Sequence, residues 1–309
     1  MPLFSGAINH VDSNDDSAGG LCEQPAAGNP PFSPVSPQQP VGSRLPDRRR
    51  VVLPGLLFVA TCITTYLAHG LAFAVPLMLI LTTHELGHFL QAVRYRVPAS
   101  LPYFIPMPLS PFGTMGAVIG MQAHVGDRKA LYDIGISGPL AGLVPAIGCS
   151  IAGLQLSQVV AIAGQKNVLV LGEPLLFKFL AFLTFGPLDP TQDVALHPLA
   201  FAGWVGIFIT GLNLIPIGQL DGGHVLYALL LRRAHAVATL LMLAATVAVA
   251  VFGYWGWLLM LTLLFMMGPK HPPTADDTVP LGPGRTILGW LTLAFVVLGF
   301  TPQPILFGR

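Results

Sequence analysis

The chain has 309 residues, of which 53% are hydrophobic and only 9% are charged, and its mean hydropathy is +0.69. A soluble domain carries roughly 25% charged residues, so this composition excludes an ordinary water-soluble protein and indicates a fold surrounded by lipid. The formal net charge of +1 and the lack of a long basic run exclude a nucleic-acid-binding arm. The three cysteines lack CxxC spacing and predict neither a disulfide framework nor a thiolate metal site.

Residues 1–46 differ in composition from the rest of the chain. They are rich in Pro, Ser, Gly, Asn and Asp and have no apolar periodicity, which predicts a disordered N-terminal tail. The tail also lacks the apolar core of a signal peptide. The remaining residues, 47–309, are predicted to form one membrane domain.

Apolar segments alternate with short polar breaks from Val51 onward and predict an all-α polytopic membrane fold with about six to seven transmembrane helices. A spanning helix needs about 20 residues at about 1.5 Å each. Segment 171–185 is a further apolar stretch, expected to lie in the membrane interface. The candidate spans are 51–68, 72–93, 132–155, 199–215, 235–252, 254–268 and 286–300.

The basic residues predict the orientation of these helices. With seven spans and a cytoplasmic N-terminus, twelve of the fifteen lysines and arginines fall on the inner side, as the positive-inside rule requires. The inner residues are Arg44, Arg48, Arg49, Arg50, Arg94, Arg96, Arg128, Lys129, Arg232, Arg233, Lys270 and Arg285.

Residues 97–131 break the helical pattern with Pro-rich, Gly-rich and β-prone sequence. This composition predicts a strand or hairpin insertion. Because exposed strand edges are not tolerated against lipid, the insertion must line a protein-enclosed cavity or lie at the water interface.

The motif His84-Glu85-Leu86-Gly87-His88 stands inside an apolar segment, where ionisable side chains are costly and mark functional sites. On a helix the two histidines point the same way, so both can hold one zinc ion with Glu85 beside them. Zinc lowers the pKa of a water molecule from about 15.7 to near 7, and an adjacent carboxylate can accept the proton and pass it on. The spacing therefore predicts hydrolytic zinc chemistry.

A catalytic zinc has three protein ligands, so one ligand remains to be found. The best candidate is Asp221, which follows Pro216 and precedes Gly222 and Gly223, residues expected to break the helix and permit tight turns. In the predicted topology both motifs reach the inner half of the membrane and meet at one depth. Asp127 is the second candidate, although Arg128 and Lys129 beside it favour a solvated charge cluster.

Other histidines and glycines have plainer interpretations. His224 either assists at the site or is a polar turn residue, and the sequence leaves both alternatives open. His235 is expected to lie at the interface. Gly138 and Gly142 fit a small-residue helix-packing face. His124, His197 and His271 fall in predicted polar connections and are expected to be solvated.

The HExxH motif in a span, together with Asn213, Pro216 and Leu220-Asp221-Gly222-Gly223, resembles the site-2 protease family of intramembrane zinc metalloproteases, peptidase family M50. The resemblance covers about residues 51–270. Phe112-Gly113-Thr114-Met115-Gly116 and the run 137–142 are similar to bacterial and plastid members. Segment 156–198 is too short for a PDZ domain, so the chain resembles the group of the family that lacks this domain.

The resemblance implies roles for five residues. His84, His88 and Asp221 would bind one catalytic Zn²⁺, Glu85 would be the catalytic base, and Asn213 would hold substrate or stabilise the oxyanion. The β-prone insertion would present an edge to an extended substrate. Residues 47–309 would then form an intramembrane metalloprotease domain.

The resemblance also implies a biological setting. The chain would be a multi-pass protein of a bacterial cell membrane, or of a plastid membrane, and would cut membrane proteins, typically single-pass ones, within or next to their transmembrane segments. Two alternatives from other classes are a metal or proton transporter, since intramembrane His and Asp also mark ion pathways, and a catalytically silent membrane scaffold.

Overall fold

The computed structural model describes residues 48–121, 126–161 and 169–307 of the chain. The predicted disordered tail, 1–46, lies outside these ranges. Across the described residues the fold is mainly helical, with one short 3₁₀ helix at Trp255–Trp257 and three two-stranded antiparallel sheets. The helices are α1 (Arg48–His69), α2 (Leu71–Arg94), α3 (Arg128–Gln155), α4 (Leu175–Phe185), α5 (Pro198–Asn213), α6 (Asp221–Leu230), α7 (Arg233–Phe252), α8 (Leu258–Met267) and α9 (Pro283–Gly299). The strands are β1 (Tyr103–Pro106), β2 (Thr114–Val118), β3 (Gln158–Ala161), β4 (Leu169–Leu171), β5 (Gln192–Ala195) and β6 (Ile305–Phe307).

The helices confirm the prediction of an all-α polytopic membrane protein. By length and composition, α1, α2, α3 and α7 are long and apolar enough to cross a membrane, whereas α4, α5, α9 and the segment 255–267 are shorter apolar helices. Every predicted span corresponds to a helix of the structure. The segment 171–185, predicted to lie in the interface, contains α4, and at 11 residues this helix is too short to span a bilayer.

Helix α5 forms the centre of the bundle. Every residue from Ala200 to Phe208 is buried, as expected of a helix that is apolar on all sides and enclosed by other helices. The outer helices instead expose large apolar side chains, such as Leu67 on α1 and Leu240 on α7. In water such a surface would be unfavourable, so its exposure fits contact with lipid.

Close backbone contacts fix the directions of the central helices. Gly142 of α3 packs on His84 of α2, and Gly153 at the end of α3 packs on Ala200 at the start of α5. Helix α3 is therefore antiparallel to both neighbours, and α2 and α5 run in the same direction. Both helices deliver their C-terminal ends to the same end of the bundle.

Polar contacts join helix ends at this same end of the bundle. Arg285 in the first turn of α9 donates from Nε and Nη2 to the two Asp133 carboxylate oxygens, each at 2.8 Å, and Tyr95 after α2 also donates to Asp133. Arg128 at the start of α3 donates to the carbonyl oxygens of Ala228 and Leu229 near the end of α6, at 2.6 and 3.2 Å. Basic helix ends that the sequence assigns to one side of the membrane thus meet in space.

The predicted β-prone insertion is confirmed as an antiparallel pair. Strand β1 pairs with β2, with Tyr103 opposite Val118 and an irregularity before Pro106. Strand β1 packs against α1, where the rings of Phe58 and Phe104 meet edge to face at 5.0 Å. Residues of β2 line a cavity whose other walls come largely from the helices, as expected of strand edges that are costly in contact with lipid.

Candidate metal centre

The HExxH motif lies in the C-terminal half of α2, which is a continuous helix from Leu71 to Arg94. Because α2 is helical, His84 and His88 project from the same face, and their exposed fractions are 4% and 8%. Both imidazoles face α3 at its glycines. Helical periodicity and burial therefore bring two metal-ligating side chains to one point inside the bundle.

The break between α5 and α6 brings Asp221 to the same point. Helix α5 ends at Asn213, shortly before Pro216, because proline restricts the preceding residue and cannot continue the ladder. Gly218, with φ of +59°, makes the tight turn that the sequence predicts at Gly222 and Gly223. Gly222 lies instead inside α6, where a Cβ atom would stand 1.9 Å from the carbonyl oxygen of Leu214. Its missing side chain lets α6 pack directly on the turn.

Three donor atoms from His84, His88 and Asp221 form a compact triangle. The two Nε2 atoms are 3.2 Å apart, His84 Nε2 is 3.1 Å from Asp221 Oδ2, and His88 Nε2 is 3.2 Å from Asp221 Oδ1. This group could hold a metal ion, since one ligand atom from each residue lies within 4.8 Å of the others.

The size of the triangle fits zinc. A tetrahedral ion with ligands at about 2.0–2.1 Å requires ligand atoms roughly 3.3 Å apart, close to the three distances above. Two imidazole nitrogens and one carboxylate oxygen are also ligands that zinc accepts. The three donor residues also line a cavity, as expected of a catalytic zinc site, which must stay accessible to water or substrate.

The backbone of α3 orients His88. Its Nδ1 lies 2.7 Å from the carbonyl oxygen of Ile134; because a carbonyl only accepts, Nδ1 carries the proton and Nε2 keeps its lone pair for a ligand. Gly138 makes this approach possible, since a Cβ atom there would stand 2.1 Å from His88 Nε2. The packing face predicted from Gly138 and Gly142 thus has a second consequence, because it holds the two imidazoles.

Glu85 and Asn213 line the same cavity, which has a volume of about 300 Å³. Glu85 is 4% exposed, and Asn213 Nδ2 lies 3.4 Å from His84 Nε2. The walls are largely apolar and come from β2, α3, α5 and α8. A carboxylate and an amide thus share an apolar cavity with the three donor atoms.

Asp127, the alternative third ligand, has a different task. Its Oδ1 accepts a hydrogen bond of 2.7 Å from the backbone N–H of Ala130, which makes it the N-cap of α3. This cap explains why α3 begins earlier than the predicted span. The predicted solvated cluster is also wrong for Arg128, whose guanidinium binds the end of α6.

Three other acidic residues lie away from the donor triangle. Glu173, Asp189 and Asp193 line a separate cavity of about 660 Å³ around α4 and β5, which shares no lining residue with the cavity of the donor triangle.

His271 corrects the expectation of a solvated histidine. It is only 4% exposed, and its Nε2 lies 2.6 Å from Nδ1 of His224, which lines the cavity. Sequence reasoning missed this pair because the two residues are far apart along the chain. His197 is half-buried and caps α5 by accepting from the N–H of Leu199, and His124 lies outside the described residues.

A family comparison agrees with this arrangement. The model of peptidase family M50 matches residues 72–252, which include both ligand motifs. The chain belongs to peptidase family M50. The resemblance drawn from the sequence is confirmed at the level of the family.

Two plant proteins are among the curated relatives of this M50 chain. It is 32% identical over 241 residues to "Probable zinc metalloprotease EGY1, chloroplastic" of Arabidopsis thaliana, covering 75% of this chain and 43% of the relative. It is 31% identical over 247 residues to "Probable zinc metalloprotease EGY2, chloroplastic" of the same plant, covering 78% and 43%. The chain thus spans less than half the length of these relatives. No solved structure matches it significantly.

Proposed function

We propose that this M50 chain is an intramembrane zinc metalloprotease that hydrolyses peptide bonds within or next to transmembrane segments of membrane proteins. The observation that carries the proposal is the donor triangle of His84, His88 and Asp221, with Glu85 in the same cavity. The names of the plant relatives, probable zinc metalloproteases, support the same chemistry.

His84, His88 and Asp221 hold one catalytic Zn²⁺ in this proposal. Zinc, when bound, supplies a Lewis acid that acidifies water and polarises the scissile carbonyl. Glu85, one residue after the first histidine, takes the proton from the attacking water and passes it to the leaving amine. Glu85 is buried in the bundle and lines the cavity beside the donor triangle, which positions it for this role.

The shape of the cavity favours an extended substrate. A transmembrane helix must unwind before its peptide bond is accessible, and unwound backbone needs new hydrogen-bond partners. Strand β2 pairs with β1 on one side, and its residues Met115 and Ala117 line the cavity. Strand addition on β2 would satisfy the freed backbone, and Asn213 is positioned to hold the substrate or the oxyanion.

We further propose the substrate class and the location of the site. Single-pass membrane proteins fit a cavity that accepts one extended segment. The donor triangle lies toward the basic end of the bundle, so the positive-inside rule assigns that end, with the N-terminus, to the cytoplasm of a bacterial cell or the equivalent side of a plastid membrane.

The test is cleavage of a library of single-span model substrates by the purified full chain and by Glu85→Gln, with zinc measured on both. We expect zinc near one per chain in both proteins and product from the wild type alone, because the change removes the base and spares the ligands. The expected loss in rate is on the order of 10²-fold or more.

Other outcomes would favour the alternatives. Equal cleavage by both proteins would contradict the role of Glu85. Zinc without cleavage of any substrate would favour a silent scaffold, and metal or proton flux that is lost on changing His84, without product, would favour a transporter.

A further inference from the structure

His224 stands one helical turn after Asp221 on α6, and its ring lines the cavity that holds the donor triangle. The proposed mechanism gives it no task. The other polar residues of that cavity wall, Gln219 apart, are the three ligands, the base and Asn213. His224 therefore lines the cavity without a role in the proposed mechanism.

The protonation of the His224–His271 pair follows from a carbonyl group. Nδ1 of His271 lies 2.6 Å from the carbonyl oxygen of Pro272, which can only accept, so Nδ1 carries the proton. Burial lowers the pKa of His271 to about 4, so its ring is neutral at neutral pH and Nε2 is an acceptor. The 2.6 Å contact with His224 Nδ1 is then a hydrogen bond that His224 donates.

Burial and the neighbouring His271 lower the pKa of His224 to about 3, so its ring is neutral and, with the proton on Nδ1, Nε2 carries none. Nε2 of His224 has no hydrogen-bond partner among the described residues. The described side-chain atoms that are both unpaired and fully buried are Gln91 Oε1 and the Tyr132 hydroxyl oxygen, so Nε2 of His224 is unpaired but accessible. It is therefore open to the cavity that its ring lines. A neutral imidazole with Nδ1 engaged offers one acceptor there.

The partner of His224 is held firmly. The His271 ring stacks on Tyr227 at 4.7 Å, His235 Nε2 donates to the His271 carbonyl oxygen at 3.0 Å, and the Tyr227 hydroxyl donates to Asp277 at 2.9 Å. The segment between α8 and α9 is thus tied to α6 and α7. Such support is what a side chain needs to fix the tautomer of another.

We propose that Nε2 of His224 accepts a hydrogen bond from a backbone N–H of the substrate segment in the cavity, and that His271 is the positioning residue that keeps Nε2 unprotonated. The inference rests on the proposed proteolytic function. An unwound substrate carries unpaired N–H groups, and β2 can pair with only one side of an extended strand. His224 supplies an acceptor from a different wall of the cavity.

The experiment compares the full chain with His224→Phe and with a matched pair at His271. His271→Leu removes the acceptor for the Nδ1–H group of His224. In His271→Gln the amide oxygen replaces that acceptor near the position of the His271 Nε2 atom. Each protein is assayed for zinc content, kcat and KM on one single-span model substrate that the wild type cuts. Histidine labelled with ¹⁵N reports by NMR which nitrogen of His224 carries the proton.

We expect His224→Phe to raise KM roughly threefold to tenfold, the effect of one lost hydrogen bond, with zinc retained and a smaller change in kcat. His271→Leu should raise KM in the same direction, and His271→Gln should recover most of the loss. The NMR spectrum of the wild type should show protonated Nδ1 and bare Nε2 on His224, and His271→Leu should mix the tautomers.

An unchanged KM in His224→Phe, loss of zinc in that variant, equal behaviour of the two His271 variants, or a protonated Nε2 would each overturn the inference. If the wild type cuts no substrate although it holds zinc, the proposed proteolysis is contradicted instead, and the NMR spectrum decides the tautomer by itself.

Discussion

At the scale of single residues, the candidate metal centre depends on the glycines of α3, which lack side chains, as much as on the three donor residues. His88 lies between a carbonyl of α3 that fixes its tautomer and a glycine that leaves room for its ring. A ligand set must be held within about half an ångström to be productive. Small residues on the facing helix therefore belong to the site although they carry no chemistry.

Replacement of Gly138 by alanine tests this dependence. The new Cβ atom would stand 2.1 Å from His88 Nε2, so the imidazole must leave its position. We expect cleavage to fall on the order of 10²-fold, as for other ångström-scale displacements, with weaker zinc binding. The measurements are zinc retention on dialysis and cleavage of the model substrate.

Gly148 provides the matched control on the same helix. A Cβ atom added there would have no neighbour within 4 Å, and alanine is a better helix former than glycine by about 1 kcal/mol. Gly148→Ala should leave cleavage unchanged. If both substitutions had the same effect, a general defect of α3 rather than the site would explain the loss.

At the scale of elements, the centre is assembled by helix ends held together by polar contacts. Asp221 is the first residue of α6, and α6 is fixed at its other end by the guanidinium of Arg128. Asp133 of α3 joins α9 through Arg285 and the end of α2 through Tyr95. These contacts hold the ends of the elements that carry the three donor residues.

The Asp133–Arg285 pair is expected to stabilise the bundle modestly. It is bidentate, but the side chains are 17% and 39% exposed, so a coupling of about 1 kcal/mol is expected. Thermal unfolding in detergent of Asp133→Asn, Arg285→Gln and the double variant measures it. The double variant should lose less stability than the two single losses added together, and strict additivity would show that the two side chains are not coupled.

At the scale of the whole molecule, the order of helix directions decides the position of the site. Helices α2 and α5 run in the same direction, with α3 antiparallel between them. The HExxH motif and the turn after α5 therefore reach the same end of the bundle, which is also the end rich in basic residues. One span more or one span fewer between the two motifs would place them at opposite ends of the bundle.

Labelling from the two sides of the membrane tests this orientation. After replacement of the three native cysteines by alanine, Lys270→Cys should react with a membrane-impermeant thiol reagent on the N-terminal side, where the positive-inside rule assigns it. Lys178→Cys on α4, whose side chain is 65% exposed, should react from the opposite side. Labelling of both positions from one side would contradict the topology.

Local chemistry by itself determined much of this protein. Long apolar segments required helices in lipid, since only internally bonded backbone is stable there. The spacing of His84 and His88 required a shared helix face, Pro216 required a break after α5, and the β-prone composition required the hairpin. The family follows from these motifs because their combination is specific.

Only the tertiary structure decided the contacts between residues distant in the chain. Arg128 binds the end of α6, and His271 is buried because the segment after α8 folds onto α6. Gly222 was needed for close packing, whereas Gly218 made the turn. Sequence patterns report local periodicity and hydropathy, but such pairings depend on which surfaces meet when the helices pack.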